Sequence, residues 1–80
     1  MNLNEAKSML AQSIMCELNY IQLGNIDCAN KMLQYRQASH IRIYMIECML
    51  SDYPDQNKTL VEYLMEQLKE LIQMISINNC

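Results

Sequence analysis

The side chains with the most chemical reach in this 80-residue sequence are one histidine, four cysteines and a few charges spread along one apparent helix. At 100° per residue, Arg36, His40, Tyr44 and Glu47 fall along one edge of that helix. Such an edge could hold a nucleotide or another small anion, with Arg36 on the phosphate, Tyr44 stacking and His40 donating a hydrogen bond. The plainer reading, and the preferred one, is a polar strip between two apolar stripes whose members pair locally.

Other chemistries fare worse. Ser39 is adjacent to His40 in sequence and is turned away from it on a helix, while Ser8 and Ser13 have no evident base beside them. A structural zinc site needs three or four converging ligands, yet His40 and Cys48 lie on different faces and neither H-x-x-x-H nor E-x-x-H occurs. With one glycine, Gly24, there is no glycine-rich phosphate loop. The expectation is a non-enzyme that uses no metal and no cofactor.

Cys16, Cys28, Cys48 and Cys80 show no C-x-x-C spacing. The first three fall at apolar positions of expected helices, so buried free thiols are expected there, with Cys80 exposed and oxidisable. The first residues, Met-Asn-Leu-Asn-Glu-Ala-Lys, lack the basic stretch and apolar core of a signal peptide, and no apolar run approaches the ~20 residues that span a bilayer. A reducing, cytoplasmic setting without a membrane is expected.

Six basic and nine acidic residues give a net charge of −3. Lys7, Lys31, Arg36, Arg42, Lys58 and Lys69 are scattered, whereas a nucleic-acid binder clusters its cations to displace phosphate counterions. The charge pattern argues against DNA or RNA as a partner.

The elements that would position these residues are helices. Hydrophobic content is 51%, built from Leu, Ile and eight Met without Phe or Trp, and one Gly and one Pro leave few interruptions. The fold class expected is all-α: a three-helix bundle, or a long hairpin with a third amphipathic helix, in a single domain over residues 1–80. Eighty residues bury only about 60% of the unfolded surface, a marginal fraction that favours oligomerisation.

Asn2 and Glu5 have capping-box spacing, and Gly24 is a natural left-handed stop, which places helix 1 at about residues 3–23. Its main stripe reads Leu3, Ala6, Leu10, Ile14, Leu18 and Ile21, flanked by Met9, Cys16, Tyr20 and Leu23. Glu17 projects near the stripe, and a snorkelling carboxylate is expected over a buried pair with Arg36 or Arg42. Gly24-Asn25-Ile26-Asp27-Cys28-Ala29 resembles the turn of a tetratricopeptide-type helical hairpin, where a small residue follows five positions after the glycine. That resemblance covers about a dozen residues with no second copy following, and implies a tight antiparallel hairpin.

Helix 2, about residues 26–51, begins under Asn25 or Asp27 with one stripe of Cys28, Ala29, Met32, Leu33 and Tyr35, continued by Ile43, Ile46 and Leu50. From Ala38 a second stripe opens: Ala38, Ile41, Met45 and Cys48, with the 3-4-3 spacing of a coiled-coil seam. Alternation from His40 to Met45 also permits a short strand, but no partner strand exists in the pattern. Ser51 to Asn57 is a loop. Helix 3 then runs over about residues 55–76, from Pro54 or Lys58, with Thr59 and Glu62 as a second capping box. Val61, Leu64, Leu68, Leu71 and Ile75 form its stripe, widened by Leu60, Met65 and Ile72.

The apolar excess and the two-faced second helix point to a small acidic interaction protein. It would act as an adaptor, inhibitor or regulatory subunit, self-associating and contacting a larger protein. Ala38, Ile41, Met45 and Cys48 are the expected interface, covered in part by helix 3. The alternative is an oligomeric module that binds a nucleotide or other anion through Arg36, His40 and Tyr44.

Overall fold

Helix starts and stops follow the capping chemistry closely. The computed structural model describes residues 2–77 and contains α1 (Leu3–Gln22), α2 (Ile26–Asp52) and α3 (Lys58–Ile77). No strand occurs among the described residues, and residues 40–45 lie inside α2. The expected fraying of Asn78 and Asn79 and the exposure of Cys80 lie outside the described residues.

Asn2 caps α1 by accepting the Glu5 backbone N–H at 2.8 Å. The Glu5 carboxylate, in return, meets the Asn2 side-chain amide at 3.4 Å. At the other end the Asn25 N–H donates to the Tyr20 carbonyl and the Gly24 N–H to the Ile21 carbonyl, the paired bonds of a Schellman motif. Gly24 sits at φ 77° with open space where a Cβ would stand. Gly24→Ala is therefore expected to cost about 1 kcal/mol from the backbone alone, read as a lowered thermal midpoint; Gly24→Asn should cost less. Asn25 then caps α2 through the Cys28 N–H at 3.3 Å.

Tyr53 leaves helical geometry because Pro54 follows it and disfavours the α region for its neighbour. The Asn57 side-chain amide donates to the Met49 carbonyl at 3.0 Å, tying the loop to the end of α2. The first backbone bond of α3 runs from the Val61 N–H to the Asn57 carbonyl. Thr59 consequently stands within the first turn, and Glu62 beyond it, instead of forming a capping box.

Paired residues fix the helix directions. Arg36 meets Glu17 while Glu47 meets Lys7, so numbering falls along α1 as it rises along α2. Arg42 reaches Gln67 and Asn57 reaches Met49, giving the same relation between α2 and α3. The order is up-down-up. α1 and α3 each pack mainly on α2 and touch one another less. Both lie on the same side of α2, where Met32, Ile43 and Ile46 join Ala6 and Leu10 of α1 and Leu64, Leu68, Ile72 and Ile75 of α3 in one buried cluster. The result is thin and long, 47 × 17 × 16 Å.

The stripe of α3 packs largely as its heptad implies, although Leu60 stays exposed and Val61 and Leu71 are half-buried. The stripe of α1 does not. Ala6 and Leu10 are buried, but Ile14, Leu18 and Ile21 lie open. The steps from Ala6 to Leu10, Ile14 and Leu18 are four residues each, and each such step rotates the stripe by about 40°. By Leu18 it has swung off the core. Ser13 and Glu17 occupy the inward positions it vacates.

Candidate functional site

Those inward positions give the molecule a polar interior between α1 and α2. Ser13 and Ser39 are buried, and each hydroxyl is satisfied locally, Ser13 by donating to the Leu10 carbonyl at 2.6 Å and Ser39 to the Tyr35 carbonyl at 2.7 Å. Arg36 donates from Nη2 to Glu17 Oε1 at 2.7 Å and from Nη1 to Ser13 Oγ at 3.5 Å. The two charged side chains are only 13% and 18% exposed. Glu17 thus does not snorkel; it forms the ion pair with Arg36 that its sequence context had argued against. Arg36 supplies the cation that compensates a carboxylate on the packed face of α1.

This pairing reshapes the polar edge of α2. Arg36 has its charge matched inside the fold, and Glu47 is paired with Lys7. His40 and Tyr44 stand exposed on the outer surface. Arg36, His40 and Tyr44 are therefore not assembled around a common space: the cation points into the α1–α2 interface and the aromatic out of it.

Tyr44 has its own partner. Its phenol is held above the ordinary value of 10.0, first by a side-chain hydrogen bond with Cys48, then by the charge that Cys48 can carry, then by slight burial. A raised value in the folded chain means that this contribution is present below the ordinary pKa and lost as pH rises through the folded one. Cys48→Ala is expected to bring Tyr44 ionisation back toward lower pH, seen as an earlier phenolate absorbance rise; an unchanged curve would remove Cys48 as the cause.

The Ala38-Ile41-Met45-Cys48 seam lies mostly in the open. Ala38 is half-buried and its carbonyl accepts Arg42 Nη1 at 3.1 Å. Ile41 is 59% exposed, Met45 39%, and Cys48 is exposed as well. α3 docks beside the seam, on the Ile43–Ile46 face, and leaves these three uncovered. Helical angles place Leu60 and Tyr63, both exposed, on the side of α3 that adjoins it. Of the cysteines among the described residues, Cys28 is buried, whereas Cys16 and Cys48 are exposed free thiols, contrary to the burial expected from their apolar positions.

A second open surface was not foreseen. On the side of the α1–α2 hairpin away from α3 stand Ile14, Leu18 and Ile21 of α1 and Ile26 of α2, all exposed. Beside Ile21 and Ile26 lies a hollow of about 310 Å³ lined by these two with Glu17, Ala29, Asn30 and Leu33. The signal in the sequence was the run of four-residue steps in the α1 stripe, which cannot stay on one face of a straight helix.

Among the described residues, no helix is long and apolar enough to cross a membrane, and no group of three or more His, Cys, Asp or Glu is placed to hold a metal. Searches against protein-family models, curated proteins and solved structures found no match. The described residues define an all-α class of protein, three helices that leave large apolar side chains open on the surface.

Proposed function

We propose that this chain is a non-enzymatic interaction protein, an adaptor, inhibitor or regulatory subunit that self-associates and contacts other proteins. The observation that carries the reading is the amount of large apolar side chain left open by three helices that otherwise pack well. Scattered apolar residues on a surface need no explanation, but contiguous ones rimmed by polar groups mark contact sites. Here they spread over the outer side of α2, from Met45 near α3 through Ile41 and Cys48 to Ile26, which stands with the exposed Ile14, Leu18 and Ile21 of α1. The thin cross-section supports the same conclusion, since a slab 16–17 Å across has little interior in which to hide them.

The test is the solution mass of the chain at micromolar concentration by light scattering. A mass at or above twice 9.4 kDa is expected. A strict monomer would remove self-association from the reading. Met45→Glu and Leu18→Glu, one near α3 and one on α1, report which surface is used.

A further inference from the structure

We infer that the α1–α2 face is covered by a second copy of this chain, two hairpins stacking face to face into a four-helix layer with their α3 helices outside. The inference deepens the self-association proposed above by naming the surface and its arrangement.

Area is the first argument. Ile14, Leu18, Ile21 and Ile26 are each between 46% and 53% exposed, and Tyr44, at 70%, points to the same side. With the half-buried Leu33 these side chains offer roughly 500 Å² of accessible surface, the larger part of the roughly 800 Å² per partner of a standard interface.

Charge chooses the occupant and its orientation. The face carries its apolar residues at the Gly24 end and the exposed Lys7–Glu47 pair toward the other end. A two-fold axis running along the helices lays α1 of one copy over α2 of the other, antiparallel and level for level. Ile21 then meets the level of Leu33 in the second copy, and the small Ala11 meets the level of Tyr44. Lys7 comes between two Glu47 carboxylates, its own and that of the other copy, so the four charges alternate in sign. In this arrangement the surface is self-complementary, which is the condition for a closed dimer.

The experiment is sedimentation of the full chain and its variants, with helix content followed by circular dichroism. The wild-type chain is expected at dimer mass. Leu18→Glu and, separately, Ile14→Glu should weaken the dimer at least tenfold while keeping wild-type helix content, because both positions are already open to solvent; Met45→Glu should leave the dimer intact. Lys7→Glu should weaken it several-fold, and Lys7→Glu with Glu47→Lys should restore it. A monomeric wild-type chain, leaving the face to a different protein, overturns both this inference and the self-association. Dissociation by Met45→Glu but by neither α1 variant overturns this inference and leaves self-association in place. Undiminished dimerisation of Lys7→Glu overturns the axis along the helices.

Discussion

Glu17→Ala is expected to destabilise the fold by about 2–3 kcal/mol, far more than a surface carboxylate would. The pair it breaks is largely withdrawn from water, with the two side chains 13% and 18% exposed. Without Glu17 the Arg36 guanidinium keeps only the Ser13 hydroxyl, at 3.5 Å. A charge left with so little compensation in the α1–α2 interface must drag in water or turn outward, and either disturbs the packing of Ala29 and Leu33 nearby. Replacing both partners, as in Glu17→Leu with Arg36→Leu, is expected to recover most of the loss, since it removes the desolvation cost of both ions together. Urea unfolding of the four chains forms a closed cycle for the measurement. A single-variant loss below about 0.5 kcal/mol would reduce the pair to an ordinary surface contact.

Leu68→Ala is expected to cost about 3–4 kcal/mol, the middle of the range for a buried leucine. Leu68 is fully buried in the cluster where all three helices contribute, with Ala6 and Leu10 on one side and Ile43 and Ile46 on the other. A 47 Å molecule only 16–17 Å across concentrates its apolar packing along one axial seam, so few neighbours can move in to fill the space. For a chain of this size such a loss corresponds to a fall in thermal midpoint of roughly 15–20 °C. Ile41→Ala is the control. Its side chain is mostly exposed, and a change within about 0.5 kcal/mol is expected.

Element identity and limits were legible because they depend on neighbours in the chain. Asn2, Gly24 and Asn25 act through backbone groups a few residues away, and each did what its chemistry implies, whereas Pro54, a candidate start for helix 3, lies in the loop before Lys58. The all-helical class followed from the same local logic. The core of α3 was legible for a related reason: its residues alternate three- and four-residue steps, so the stripe stays on one side of the helix. The capping role of Thr59 and Glu62 was misread because Asn57, held by the Met49 carbonyl eight residues earlier, starts the helix before them.

The seam from Ala38 to Cys48 was legible as a second apolar stripe, but its covering was not. α3 has one stripe to offer and spends it on the face shared with α1, where three helices can meet. Ile41, Met45 and Cys48 are left open as a consequence. Glu17 and Arg36 could be recognised singly as charges near apolar positions. That they face one another depends on the register of the α1–α2 hairpin, which the Gly24 turn sets.

By itself, then, the sequence determined three helices, their caps and turn, and the stripe that each carries, all through interactions within about four residues along the chain. Only the tertiary structure decided which stripes are spent on one another: α1 and α3 side by side on one face of α2, a polar pair buried where apolar residues were expected, and large apolar side chains left open. The reason is geometric. A stripe's direction is a sum of 100° steps readable from any sequence, whereas the side from which another helix approaches depends on how all three pack at once.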